Sequence, residues 1–254
     1  MALFKSGNPA LSEKTFQQSI VVNQSEVMTE RGTLNKFFLL FLLVMATASI
    51  TWNAFSQGKD VTPWLWGGLI GGFIIAIVLV FKPMWATFLA PVYALFEGAF
   101  IGGVSAIYNF AFKDAATGAA GGIVMQAVGL TFAVVIAMFA LYRFRVIKAT
   151  EKFKSVIIIA TAGIAVFYLL ALVLRLFNVD MPLIHSSGTM GIVFSLVVVC
   201  IAALNLILDF DRIEQGAAMG APKYMEWYGA FGLLVTIVWL YLEILRLLAK
   251  LNRR

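Results

Sequence analysis

Four ionisable side chains interrupt otherwise apolar stretches of this sequence: Glu97 in LFEGAFIGG, Arg175 in LVLRLF, Asp209 in LILDFDRIE and Glu243 in WLYLEILRLL. A charge at the centre of a bilayer-spanning helix costs about 2.5–3.5 kcal/mol even on lenient insertion scales. Such a group faces a bundle interior, finds a partner or stays neutral. Carboxylates in that setting have two uses. A shared proton or a neighbouring Arg lets them change charge with pH. Their oxygens also suit hard cations such as Ca2+. The chemistry these residues offer is proton-linked passage of a cation. Hydrolysis has no comparable footing, because the sequence holds no GxSxG and no HExxH, and His185 is its only histidine. The one cysteine, Cys200, lies in an apolar run and reads as a small core hydrophobe. No catalytic residue and no cofactor is assigned, and the chain reads as a non-enzyme.

The four groups differ in where they fall along their runs. Glu97 is the most central carboxylate, and Gly98 beside it leaves room for a neighbouring helix. Asp209 stands where an apolar run meets the charged segment Asp209–Glu214; Asp211, Arg212 and Glu214 read as interfacial. Glu243 is nearer the far end of its run than the middle, and Arg246 follows at i+3, within pairing distance on one helical face. Arg175, near a run's end, can extend to the headgroups.

What must position these residues is a set of membrane spans. Hydrophobic residues make up 61% of the 254 residues and charged ones 13%, with a mean hydropathy of +0.93. Soluble domains carry roughly 45–50% apolar and about 25% charged residues. A span needs about 20 mostly apolar residues, and seven runs qualify: 37–55, 63–81, 85–110, 119–142, 155–177, 184–208 and 227–248. The predicted fold class is therefore all-α, a polytopic bundle of seven transmembrane helices. A polar N-terminal tail, residues 1–36, precedes a transmembrane domain over 37–250. The stretch Gln215–Pro222 reads as a loop. Gly67/Gly71, Gly68/Gly72, Gly98/Gly102 and Gly118/Gly122 recur at four-residue spacing, which lets helices approach closely in lipid. Packing within one chain accounts for them, so a monomer is expected.

The net charge of +6 does not point to nucleic acid, since the basic residues flank apolar runs and would meet lipid headgroups. Lys5, Lys14, Arg31, Lys36 and the loop residues Arg143, Arg145, Lys148, Lys152 and Lys154 favour a cytoplasmic N-terminus. Lys59, Lys113 and the tail Arg253-Arg254 then fall on the other side. That basic tail opposes a seventh full crossing, so a last segment that stops short is the alternative.

YALFEG in the third run, HSSGTMGIVFS and LNLILDFDRIE in the sixth, and WYGAFGLLVTIVWLYLEILRLL in the seventh resemble the Bax inhibitor-1, or transmembrane Bax inhibitor motif, family. The likeness covers about residues 30–250 and is closest to the bacterial branch. It implies six helices around a central seventh, in the bacterial inner membrane. It also implies a pH-regulated Ca2+ leak, closed by an acid pair on the last two helices that shares a proton. Asp209 matches the first acid and Glu243 the second, where relatives carry Asp; both are the transient Ca2+ ligands on this reading. Lys82 is nearest to a basic residue that contacts the pair in relatives. Glu97, Asp211, Lys82, Arg175 and Arg246 are the further pathway or pairing residues. Two rivals stand beside the leak: a non-conducting regulator that binds a membrane protease or stress factor through 1–36 and 209–226, and a proton-coupled cation exchanger.

Overall fold

A computed structural model describes residues 27–112, 122–177 and 188–253, apart from the side chain of Leu176. Seven α-helices are present among the described residues: α1 Glu30–Ser56, α2 Thr62–Phe81, α3 Ala86–Ala111, α4 Gly122–Arg143, α5 Glu151–Leu176, α6 Thr189–Ala218 and α7 Met225–Asn252. Each is long and apolar enough to cross a membrane. At 28 residues, α7 is roughly 42 Å long, more than the ~30 Å of a hydrocarbon core. By length and composition the last helix is sufficient for a full span.

Local chemistry sets the ends. Thr29 caps α1, its hydroxyl accepting from the Gly32 amide at 3.0 Å, with Glu30 in the first turn. The predicted tail therefore joins α1 seven residues before Phe37. Thr150 caps α5 in the same way, accepting from the Phe153 amide at 3.3 Å. Pro63 stands in the first turn of α2, and Lys82-Pro83 ends that helix in a single 3-10 turn over Pro83–Trp85. The largest departure from the predicted boundaries is at α6, which continues ten residues past Leu208 to Ala218. Its charged segment finds partners on neighbouring helices, and Gly216 gives Met28 close access, since a Cβ there would lie 3.0 Å from the Met28 sulfur. The turn comes instead at Gly220, at φ +70°.

Helix α7 is the axis of the packing. In its most apolar window 61% of residues are buried, against 6% for α5. Its main packing partners are α6, α1, α4 and α3, while α2 rests chiefly on α3 and α5 on α6. The arrangement is thus a central helix with an inner layer and two outer helices, rather than an even ring of six. Two apolar clusters share α7: Ala230, Phe231 and Leu234 join Leu40, Leu79 and Ala90, whereas Leu240, Ile244 and Leu245 join Ile123, Ala202 and Leu206. Large side chains such as Phe73, Phe88 and Leu169 cover the outside, which suits lipid as solvent. Cys200 is exposed on this outer surface and is not a core residue.

The glycine pairs work inside the chain. A Cβ on Gly102 would lie 2.7 Å from the Ala48 Cα, and one on Gly98 2.9 Å from the Val44 Cα, so α3 and α1 approach along this pair. Gly68 likewise seats against the Phe96 carbonyl and Phe100, whereas Gly67 meets nothing within 4 Å. Gly118 lies outside the described residues. Gly102→Val should lower stability in detergent by about 1–3 kcal/mol through overpacking. Gly67→Ala should be neutral or raise it, since Ala favours helix by up to ~1 kcal/mol; thermal unfolding of the two variants measures both.

Candidate functional site

Helix α7 carries polar side chains on one line: Thr236, Glu243 and Lys250 follow at seven-residue intervals, close to two turns each. Glu226 opens the helix below them. Glu226, Glu243 and Lys250 are all buried, and each has partners.

Glu243 is 1% exposed. Arg246, one turn on, places Nη1 at 2.7 and 2.8 Å from its two carboxylate oxygens. The Tyr168 hydroxyl of α5 donates to Oε1 at 3.0 Å and accepts from Arg246 Nη1 at 2.7 Å, closing a triangle. The guanidinium also lies over the Tyr168 ring, 5.1 Å from its centroid. Trp239 Nε1 adds a longer donor at 3.3 Å. The i+3 pairing expected of Arg246 is thus made. Its additional effect is to tie the outer helix α5 to the central helix.

Asp209 occupies a different place. Its Oδ2 accepts from the Thr236 hydroxyl at 2.5 Å, and Arg212 stands 4.0 Å from Oδ1. Thr236 precedes Glu243 by two turns, roughly 10 Å of rise along α7. The donors of Asp209 and those of Glu243 do not overlap. The two acids lie beside one helix in sequence along it, each with its own hydroxyl and its own Arg.

The other predicted residues are dispersed. Glu97 is half-buried, faces Tyr93 one turn earlier, and turns toward α2 at Gly72. It reaches α7 only indirectly, because the Tyr93 ring packs edge-on against Phe231 with centroids 4.8 Å apart. Asp211 is buried, with Lys154 Nζ at 3.0 Å and Gln215 Nε2 at 2.6 Å. This is a buried contact between α5 and α6. Arg175 is exposed at the end of α5, and Lys82 is exposed at the C-cap of α2. Among the described residues Lys82 pairs with no acid. His185 lies outside the described residues. No group of three or more acid, His or Cys side chains that could hold a metal is found among the described residues.

The family model for Bax inhibitor 1 like proteins matches residues 8–253. The chain belongs to this family. No curated protein and no solved structure matches it. As a Bax inhibitor 1 like protein with seven apolar helices, it is a multi-pass membrane protein in contact with the lipid bilayer.

Several polar residues of this family member escaped sequence reading. Glu226 is fully buried, accepting from the Thr29 amide and hydroxyl at 2.9 Å each and pairing with Lys36 and with Lys223 at 2.9 Å. It fastens the start of α1 to the α6–α7 turn, beside the Val27–Pro222 bridge. Lys250 Nζ donates to the Gly191 carbonyl and the Ser195 hydroxyl, both at 2.9 Å. Tyr142 and Arg145 both bond Glu214, and that carboxylate holds the Arg145 guanidinium above its usual range. Buried Tyr241 pairs with Ser105 at 2.6 Å. Glu226 and Lys250 flank the apolar run and look interfacial by hydropathy; only the tertiary contacts bury them. The pairing of Ser195 with Lys250 joins residues 55 apart and has no local signal.

Arg246→Ala should cost about 3 kcal/mol, because it strands Glu243 as a buried charge. The double variant Glu243→Gln/Arg246→Met should recover most of that loss in a denaturation cycle. For the second clamp, Glu226→Ala should speed hydrogen exchange at the Thr29–Thr33 amides while leaving mid-α7 amides protected.

Proposed function

We propose that the chain is a Ca2+-permeable leak channel of the cell membrane, regulated by protons through Asp209 and Glu243 on its last two helices. The observation that carries this reading is the line of polar groups retained along the most buried helix. Ionisable residues inside a spanning bundle are expensive and mark ion or proton pathways, and a purely structural helix would be more stable without them.

The two acids have different roles. Asp209 and the Thr236 hydroxyl offer hard oxygen ligands to a passing cation. Glu243 acts as a latch, since its charge holds Arg246 and Tyr168 and through them α5. Protonating Glu243 removes the negative charge that pairs with Arg246, weakens the triangle and loosens the closed arrangement. Protonating Asp209 withdraws a charged ligand from the pathway. A monomer suffices for this route, because all of its residues come from one chain.

Shared helix ends support an orientation. Lys36–Glu226, Val27–Pro222, Lys154–Asp211 and Arg145–Glu214 bring the start of α1, the α4–α5 turn and the α6–α7 turn to one side. Arg143, Arg145, Lys148, Lys152 and Lys154 lie there too, which supports placing that side, and the N-terminus, in the cytoplasm.

A regulatory, non-conducting role is the second reading. It is favoured by the joining of residues 27–36 to 221–226 into one surface through Glu226. Ca2+ uptake into liposomes across a pH series, with H+ gradients collapsed, separates the readings and also excludes an exchanger. The leak predicts uptake that Asp209→Asn diminishes and that Glu243→Gln raises and makes less dependent on pH. Uptake unchanged in both variants removes the sensor assignment. Absent uptake, together with a membrane partner lost on deleting residues 1–26, favours the regulator.

A further inference from the structure

Helices α1 and α4 do not pack along their lengths; a cleft of about 280 Å³ separates them, backed by α3 and α7. Its walls are almost wholly apolar. Short side chains line it, among them Val44 and Ala48 on α1 and Val124 and Val128 on α4. At one end Phe41 and Phe132 meet edge to face, with centroids 5.8 Å apart. The floor holds the Ser105–Tyr241 hydroxyl pair, and these two groups satisfy each other at 2.6 Å.

The cleft opens outward. Met45, Ser49 and Phe132 both line it and stand exposed on the outer surface, beside exposed Leu42 and Met125. That surface is the lipid-facing belt, so the cleft is continuous with the bilayer interface. Val44–Ala48 lie mid-way along α1, which sets the opening at hydrocarbon depth. Water is a poor occupant, since an ordered water needs two to four polar partners and the buried hydroxyls of the lining are already bonded, Ser105 with Tyr241 and Thr131 to the Ala127 carbonyl. An empty apolar void forfeits dispersion contacts along its whole lining.

We propose that this cleft is a lateral binding site for one acyl chain of a bilayer phospholipid. The chain enters between α1 and α4 and lies against Tyr241. Because Tyr241 is two residues from Glu243 on α7, the occupant touches the same helix that carries the Arg246 latch. The site depends only on the bundle crossing a membrane and stands whether or not the protein conducts Ca2+.

The test uses the full chain, one copy per nanodisc, in phosphatidylcholine bearing a mid-chain diazirine on one acyl chain. After illumination, mass spectrometry locates the adducts. Adducts are expected on the recessed floor residues Tyr241 and Ser105 as well as on outward-facing Phe88 and Leu169. Val128→Trp, which fills the cleft, should abolish the floor adducts and keep those on Phe88 and Leu169. Met45→Trp, at the exposed mouth, should do the same where Val128→Trp fails to fold. Labelling confined to outward-facing residues in the unaltered protein overturns the proposal, as does floor labelling that survives both substitutions. Floor adducts that vanish when two copies share a disc, replaced by chain-to-chain contacts, assign the cleft to a second copy and also overturn it.

Discussion

Glu243 keeps a carboxylate on the most buried helix of a bundle whose outer solvent is hydrocarbon, and Arg246 with Tyr168 is what makes that tenable. In a medium of low dielectric an unpaired charge is far costlier than a lost hydrogen bond. The acid therefore dictates the positions around it. Tyr168 must come from α5, which otherwise packs against α6, so the pairing draws an outer helix toward the axis. Lys250, one turn beyond Arg246, finds only a carbonyl and a hydroxyl as partners and not an acid. The same rule governs the other end, where Glu226 gathers Lys36, Lys223 and the cap of α1.

Much of the fold is legible in hydropathy, because a bilayer tells apolar runs apart from their flanks with little ambiguity. All seven runs become helices, and the Lys82-Pro83 stop falls where it was expected. The failures share one cause. Charged residues read as helix ends or as interface when counted along the chain, yet a charge with a partner on another helix can stay inside one. Asp211 and Glu214 do so, and α6 runs on to Ala218. Glu226 and Lys250 do so as well. Gly216 looked like a loop signal but serves close packing against Met28. Cys200, apolar by its neighbours, could have faced either way and faces out.

The site divides along the same line. Asp209, Glu243 and Arg246 were recognisable as ionisable groups in apolar runs, and Arg246 also by its i+3 spacing. Their aromatic and hydroxyl partners were not, since Tyr168 and Thr236 carry no signal until α5, α6 and α7 are set side by side. The offset of the two acids is likewise a tertiary property. Asp209 meets α7 at Thr236, and Glu243 comes two turns later, so each has its own set of partners.

That separation is the central claim and can be measured directly. Infrared difference spectra over a pH titration follow each protonated carboxyl band, with Asp209→Asn and Glu243→Gln assigning them. The structure predicts that removing either acid leaves the titration midpoint of the other within about one unit, the limit that marks uncoupled sites. A larger shift in the surviving acid would show a shared proton and contradict the account.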